Sequence, residues 1–186
     1  NTGSMVLNIP SHQLEIITTC GPEETIIDAE NTKIGVYFNS GTQATTLFDG
    51  FTVRNGVNFN GGGILIFGGP TINNCIITDN LAGSVGGGIS TFGNPTITNC
   101  LVKDNNSMGA GGGVHVQANL APSFENCTIR NNIGSQNGGG VYIQSSKATF
   151  TNCMISENSS AATGGGVFIF GNNNPNPAST IFDSCF

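Results

Sequence analysis

The chain has 186 residues, a length that suits one domain, and its formal net charge is −6. Its five lysines and arginines are too few for the clustered positive charge that nucleic-acid binding needs, and no apolar run approaches the roughly 18 residues of a membrane span. The 28 glycines and low charge could indicate disorder, but 37% hydrophobic residues in regular register favour a folded repeat.

The first 25 residues carry a weak alternation of apolar side chains, including Leu14 and Ile16, which predicts one or two lead-in strands. A turn is predicted at Gly21 and Pro22. The first residue is Asn1 rather than methionine, so we expect a processed chain or an excised segment of a longer one. We therefore divide the chain into lead-in strands at 1–25 and one continuous set of repeats at 26–186.

The repeats are organised around three glycines followed by isoleucine or valine. Successive copies lie 25, 25, 27 and 26 residues apart, and they begin at Gly61, Gly86, Gly111, Gly138 and Gly164. A period in this range is typical of a solenoid. Units this short and rich in glycine can bury a core only by stacking on their neighbours.

Each repeat contains two apolar patterns that predict strands. The first follows the glycines, with Ile64 and Ile66 pointing inward in the first copy. The second runs over 71–77, where Ile72, Cys75 and Ile77 would face the core and Asn74 would lie at a bend. No segment shows a period of 3.6 residues, so almost no helix is predicted.

Five of the six cysteines occupy one equivalent position per repeat, namely Cys75, Cys100, Cys127, Cys153 and Cys185. Stacked coils would place them about 4.8 Å apart, whereas a relaxed disulfide has its Cβ atoms about 3.8 Å apart. We therefore predict buried free thiols that pack as small hydrophobic groups. A zinc site needs converging ligands, which a linear column lacks, so neither a metal nor a cofactor is predicted. Phe51 holds the same position one coil earlier, and Cys20 lies outside the column.

Two asparagine columns follow from the same alignment. In a stack, equivalent amides can hydrogen-bond from coil to coil, and asparagine tolerates the left-handed conformation that corners need. The spacing from the second column to the next glycines is always six residues, whereas the connection after the glycine strand varies. The first column is Asn74, Asn99, Asn126 and Asn152, and the second is Asn80, Asn105, Asn132 and Asn158.

The run Thr149-Phe150-Thr151-Asn152-Cys153, followed by Ile155, Asn158 and Gly164-Gly165-Gly166-Val167, resembles right-handed parallel β-helix repeat proteins of bacterial cell surfaces. It is also similar to the repeats of chlamydial polymorphic outer-membrane adhesins, which pair a Gly-Gly-Ala-[Ile/Leu/Val] motif with a Phe-x-x-Asn motif. In this chain glycine replaces the alanine of the first motif, and isoleucine or valine replaces the phenylalanine of the second. The resemblance covers roughly residues 21–186. It implies an all-β, right-handed parallel β-helix of about seven coils. It further implies an extracellular or cell-surface module with a structural, adhesive or self-assembling role.

Many β-helices degrade polysaccharides, so a lyase or hydrolase is the alternative function. Hydrolases need two carboxylates about 5 to 9.5 Å apart. Here the charged residues are spread one per coil, so we expect them to form a solvated edge of compensating charges and we predict no catalysis. His115 and His12 lack the partners of a catalytic triad, and we expect both on the surface. The charged columns are Asp79, Asp104 and Glu157, beside Arg54, Lys103 and Arg130.

Large apolar residues recur at outward positions of the glycine strands, and contiguous patches of this kind usually mark an interface. Such rings suit a protein partner, another copy of the chain or a glycan, and we favour the first two. Alternatively, loops or the long connection from Asn172 to Pro177 cover this face as a second core. Unpaired strands at the ends would also permit end-to-end stacking. The candidate binding residues are Leu65, Phe67, Phe92, Tyr142, Phe168 and Phe170.

Overall fold

The computed structural model describes residues 5–10, 13–171 and 180–185. These residues form 25 short strands and no α-helix, and the strands wind into a right-handed parallel β-solenoid. The fold prediction is therefore confirmed. The seven strands of the two longest sheets enclose about six full turns, slightly fewer than the seven coils expected. Within the described ranges, no helix has the length and apolar character needed to cross a bilayer.

The strands form four parallel sheets, which we name A, B, C and D in the order in which the chain passes through them in a complete coil. Sheet A contains β1 (Met5–Ile9), β4 (Ile34–Phe38), β8 (Ile64–Ile66), β12 (Ile89–Thr91), β16 (Val114–Val116), β20 (Val141–Gln144) and β24 (Val167–Phe170). Sheet B contains β2 (Glu15–Ile17), β5 (Leu47–Asp49), β9 (Thr71–Asn73), β13 (Thr96–Thr98), β17 (Ser123–Glu125), β21 (Thr149–Thr151) and β25 (Ile181–Asp183). Sheet C contains β3 (Ile26–Asp28), β6 (Thr52–Arg54), β10 (Ile76–Thr78), β14 (Leu101–Lys103), β18 (Thr128–Arg130) and β22 (Met154–Ser156). Sheet D contains β7 (Val57–Asn60), β11 (Leu81–Val85), β15 (Asn106–Ser107), β19 (Ile133–Gly134) and β23 (Ser159–Ser160).

Each complete coil has four strands rather than the two predicted. The apolar pattern at 71–77 divides at Asn74 into β9 and β10, because Asn74 has a left-handed backbone with φ of 49°. The strands of sheet D were not predicted, since they carry few apolar residues at alternating positions. The lead-in strands β1 and β2 pair with β4 and β5, so they continue sheets A and B.

Three left-handed corners bend each coil. The corner between sheets B and C is occupied by the exposed Asn74 column, and asparagine adopts this conformation at low cost. The corner between sheets C and D carries Asn55, Asp79, Asp104, Asn131 and Glu157, with φ between 55° and 57°. The acidic column identified in the sequence therefore has a structural position at a bend. The first glycine of each triplet forms the third corner, as at Gly111 with φ of 65°.

The core lies between the four sheets. Ile72, Cys75 and Ile77 are buried, as predicted, and equivalent residues repeat this pattern in the following coils. On sheet B the rings of Phe124 and Phe150 stack with centroids 4.5 Å apart. Because every strand pairs in register with its neighbour, each inward position becomes a column of apolar side chains along the axis.

The Asn80 column forms a continuous amide ladder inside the fold. The Nδ2 of Asn80 donates to Oδ1 of Asn105 at 2.9 Å, and the Nδ2 of Asn105 donates to Oδ1 of Asn132 at 3.0 Å. Each Nδ2 also donates to a carbonyl of the preceding coil, such as that of Ile77 for Asn105 at 2.9 Å. The Oδ1 atoms of Asn105 and Asn132 each accept a second bond from a backbone N–H, so all four hydrogen-bonding capacities of these two amides are used.

The Asn74 column does not form such a ladder. Its members are exposed, and the one amide bond between them joins Asn152 to Asn126 at 3.4 Å. The sequence predicted two properties, coil-to-coil bonding and left-handed corners, for both columns. In the described coils these properties are divided: the first column forms corners, and the second column forms the ladder.

The glycine triplets pack directly on the ladder, which explains the constant six-residue spacing. A Cβ atom at Gly113 would lie 2.9 Å from Nδ2 of Asn132 and 2.7 Å from the carbonyl oxygen of Gly140. A Cβ atom at Gly112 would clash with the carbonyl group of Ile133. Only glycine permits this close approach of the corner to sheet D.

Replacing Asn105 by alanine should lower the free energy of unfolding by roughly 3 kcal/mol or more. The change removes the buried hydrogen bonds that the Asn105 side chain makes with the Ile77 carbonyl and with the Asn80 backbone N–H. Urea denaturation followed by circular dichroism measures the effect. The matched control is Asn106→Ala, since Asn106 is the adjacent exposed asparagine. Equal stabilities of the two variants would contradict a structural role for the ladder.

Candidate interaction surface on sheet A

Six rings lie in continuous contact on the outer face of sheet A, three of the five contacts stacked and two tilted, and we name these rings the aromatic row. The Phe67 and Phe92 rings stack with centroids 5.0 Å apart and planes 16° apart. His115 stacks on Tyr142 at 5.8 Å and 17°, while its ring meets Phe92 at 5.7 Å with tilted planes. The complete row is Tyr37, Phe67, Phe92, His115, Tyr142 and Phe168.

The row crosses between the two outward columns identified in the sequence. Leu65 and Ser90 carry no ring in the first column, and Phe67 and Phe92 of the second column supply rings in these two coils. Of the candidate binding residues, Phe67 is 38% exposed and Phe170 is 48% exposed. The other four are half-buried, namely Leu65, Phe92, Tyr142 and Phe168. Phe170 and Leu65 flank the row and are not members of the stack.

The expectation that His115 lies on the surface is wrong. Its side chain points away from the core as predicted, but it is 2% exposed because its ring lies between those of Phe92 and Tyr142. Its Nδ1 forms a 2.9 Å hydrogen bond with the hydroxyl of Ser90, which is also buried. Burial lowers the pKa of His115 to about 4, so the ring is neutral at physiological pH. The sequence contained a signal for this burial, because the aligned coils on either side of His115 carry the aromatic residues Phe92 and Tyr142. His12 lies outside the described residues.

Short connections between sheets A and B border the row on one side. A cavity of about 310 Å³ lies beside the rings of Phe67 and Phe92 and is also lined by Thr42, Asn94 and Leu120. The connection from Asn172 to Pro177, expected to protrude or to cover this face, lies outside the described residues. Burial of the Tyr142 side chain raises the pKa of its phenol, which therefore stays protonated at neutral pH.

The charged residues singled out in the sequence lie on and beside the outer face of sheet C. Arg54 forms an ion pair with Asp28, with Nε and Oδ2 2.9 Å apart, and Lys103 pairs with Asp104 at 2.8 Å. Hydrogen bonds from Asn55 and the Glu30 backbone, together with Arg54, lower the pKa of Asp28. The Thr78 hydroxyl donates to Asp79 at 2.8 Å. Arg54, Lys103 and Asp104 thus have charged partners in their own or the preceding coil, and Asp79 accepts a hydrogen bond from a neighbouring hydroxyl.

A groove of about 500 Å³ nevertheless runs over this face. It is lined by three of the five cationic residues of the protein, Arg54, Lys103 and Arg130, together with Glu23 and Asp79. In the described part of the chain, no three histidine, cysteine, aspartate or glutamate side chains converge on a point that could hold a metal ion.

The cysteine column lies inside, at the junction of sheets B and C. Cys75, Cys100, Cys127 and Cys153 are buried, Cys185 is half-buried, and all five thiols are free. Burial raises the pKa of the Cys100 thiol well above its ordinary value. Cys20 is a free thiol on the surface, remote in sequence from the column.

A family model for the right-handed β-helix region matches residues 31–186. The chain belongs to the right-handed β-helix family. Searches of the curated proteins and of the solved structures gave no match. Membership of the right-handed β-helix family describes a fold on which several functions occur, and the resemblance to bacterial adhesins stays a prediction.

Acidification should destabilise this β-helix through His115. The pKa of His115 is lower in the folded chain than its usual value of 6.5, so between pH 6.5 and 4 the unfolded chain binds the additional proton. Above pH 6.5 the protonation of His115 does not affect the free energy of unfolding. Between pH 6.5 and pH 4 it lowers the free energy of unfolding by about 3 kcal/mol in total. Urea denaturation between pH 7 and 4.5 measures the slope. The variant His115→Gln should show a shallower slope, and an unchanged slope would exclude His115 as its source.

Proposed function

We propose that this β-helix is a non-catalytic structural or adhesive module of an extracellular or cell surface. The aromatic row, flanked by Leu65 and Phe170, binds a protein partner or another copy of the chain. The observation that carries this proposal is the continuous row of six rings in contact on the outside of a solenoid whose core is already complete. A β-helix needs no large rings on the outer face of a sheet in order to fold.

The row is suited to binding because its rings are held in place before a partner arrives. Each interior ring contacts two others, and His115 is fixed further by Ser90. Aromatic anchors with few rotatable bonds lose little conformational entropy on binding. Half-exposed rings such as Phe67 would lose their remaining contact with water in a complex, which favours association.

The orientation of the rings favours a protein over a glycan. Phe67 and Phe92 have planes 16° apart, and Tyr142 and Phe168 have planes 6° apart, so the rings of these pairs cover part of one another's faces. A sugar ring stacks on an open aromatic face, whereas the side chains of a protein can also pack against ring edges. The paired charges on sheet C support the non-catalytic part of the proposal.

Replacing four residues of the row, with Phe67→Ser, Phe92→Ser, Tyr142→Thr and Phe168→Thr together, should abolish binding while the solenoid remains folded. The removed rings lie outside the core, so the far-UV circular dichroism spectrum should keep its β signal. Self-association is measured by sedimentation velocity over a range of concentrations. Adhesion is measured with beads that carry the protein, both as the clumping of these beads with one another and as their attachment to surfaces coated with matrix proteins. In each of these two assays in which the unmodified chain binds, we expect the quadruple variant to bind at least tenfold more weakly.

The matched control is Phe59→Ser, which removes an exposed ring from sheet D, where Phe59 is 69% exposed. This variant should bind like the unmodified chain. A quadruple variant that fails to fold would show that the face is a second core. A folded quadruple variant with full adhesion would place the binding surface elsewhere.

The groove on sheet C favours a second candidate function, binding or cleavage of an acidic polysaccharide. Three cations at successive levels of one face would attract a chain of carboxylates. On the principal proposal, a depolymerisation screen with uronic-acid polymers, with and without calcium, should yield no product. Product formation that is lost in Lys103→Ala or Asp104→Asn, but kept in Phe59→Ser, would instead establish an enzyme.

A further inference from the structure

The last strands of the four sheets form an open end of the solenoid, which we name the terminal face. They are β24 in sheet A, β25 in sheet B, β22 in sheet C and β23 in sheet D, and in the described part of the chain each pairs on one side only. An open strand edge presents a row of unpaired backbone groups that can pair with another strand. The terminal face therefore offers four such edges at once.

The terminal face also leaves part of the apolar core uncovered. Ile169 is 49% exposed, whereas Ile143, which pairs with it from β20, is fully buried. The ring of Phe182 stacks on Phe150 with centroids 4.8 Å apart, yet Phe182 is still 38% exposed. A coil placed on this face would bury these side chains as the earlier coils bury theirs, which favours association. The cavity at this end has a volume of about 440 Å³ and is lined by Ile155, Gly166, Val167, Ile169, Phe182 and Cys185.

The asparagine ladder reaches this face at Asn158. In the preceding coil, the backbone N–H and the Nδ2 of Asn132 both donate to Oδ1 of Asn158, each at 2.9 Å. Asn105 makes the same two bonds to Oδ1 of Asn132, each at 3.0 Å. The Nδ2 of Asn158 donates to the Ile129 carbonyl at 2.8 Å, but the described residues supply no amide oxygen on its outer side. The missing partner of this pair of donors is the side-chain oxygen of a further asparagine.

Glycine at position 166 lacks the reason that the equivalent glycines have. A Cβ atom at Gly140 would lie 2.6 Å from the carbonyl oxygen of Gly166 and 2.7 Å from Nδ2 of Asn158, so only glycine fits there. At Gly166, the one described atom within 4 Å of such a Cβ is Cγ2 of Ile155, at an ordinary contact distance of 3.7 Å. A further coil that repeats the pattern would place an asparagine and a glycine carbonyl against Gly166 and would make glycine necessary.

We propose that the terminal face is a docking surface for a further β-helix coil, which carries an asparagine at the ladder position and a glycine triplet six residues later, as Asn158 and Gly164 do. The asparagine oxygen accepts the two bonds that Asn158 offers, and the triplet packs on Gly166. The backbone of the coil extends all four sheets, and its apolar residues close the cavity. This surface is independent of the aromatic row, which lies on the outside of sheet A.

A second copy of this chain does not offer such a coil at its opposite end. The coil that contains β1, β2 and β3 has no strand in sheet D among the described residues, and residues 5–33 contain no glycine triplet. The ladder starts at Asn80, whose Oδ1 accepts a bond from the backbone N–H of Gly56 at 2.8 Å. The occupant is therefore a coil of the repeat type found from Asn80 onwards, and not the N-terminal coil of a second copy.

The test extends the chain after Phe186 with a copy of residues 129–154. Phe186 follows Cys185 as Thr128 follows Cys127, so the copy continues the register and brings its own asparagine and glycine triplet to the terminal face. We expect a melting temperature higher by roughly 4 °C or more in circular dichroism. A matched extension with Asn132→Ala in the copy alone should lose roughly half of this gain or more, because the ladder oxygen is missing.

The substitution Gly166→Ala tests the contact with the added coil. It should shift the melting temperature of the unextended chain by less than about 2 °C and lower that of the extended chain by roughly 4 °C or more. The control Gly140→Ala should destabilise both chains. The proposal is overturned by an extension that gives no gain, by equal gains from the asparagine and alanine extensions, or by equal effects of Gly166→Ala in both chains.

Sedimentation velocity of the unextended chain examines the remaining occupant, a second copy. Self-association that Ile169→Arg abolishes, and that the quadruple variant of the aromatic row retains, would show that a second copy covers the terminal face and would overturn the proposal. We expect Ile169→Arg to leave the sedimentation coefficient of the unextended chain unchanged.

Discussion

The rest of the structure depends on the contact between the buried asparagine ladder and the glycine triplets. Each ladder amide joins its own coil to both neighbours, and the following triplet lies against it without side chains. This contact sets the distance between coils and also brings sheet D close to sheet A. A buried amide with any of its bonds missing would be costly, so the ladder favours a single register among the many that short, similar strands could adopt.

Register converts a repeated sequence into regular columns of side chains along the solenoid axis. Once Asn80, Asn105 and Asn132 are aligned, all other equivalent positions align with them, whether or not those positions contribute to stability. The aromatic row outside and the thiol column inside are both consequences of this alignment. Their ring and sulfur spacings follow the strand spacing, so the backbone determines the geometry of side chains that are not needed to maintain it.

The sequence predicted the fold because the period, the inward residues and the spacing from asparagine to glycine are all local patterns. It did not predict sheet D, since Leu81 to Val85 contains glycine and serine where an apolar alternation is expected. It assigned one combined role to the two asparagine columns, because asparagine suits both corners and ladders, and only the three-dimensional path of the chain distinguishes Asn74 from Asn80. The burial of His115 was missed for a related reason. The alternation of the strand predicts that its side chain points outward. Its burial depends on rings in the neighbouring coils, and these are not considered when each residue is assessed separately.

The connections between sheets A and B vary in length without changing the repeating unit. The 27-residue coil from Gly111 to Gly138 has its two additional residues in the connection 117–122, which is six residues long where 92–95 has four. The ladder and the glycine corner are unaffected by this insertion. The same connections border the aromatic row, since Asn94 and Leu120 line the cavity beside it. Insertions and substitutions at this edge therefore change the surface beside the aromatic row while the stacking unit stays intact, and the same edge is a suitable place for grafted loops in engineering.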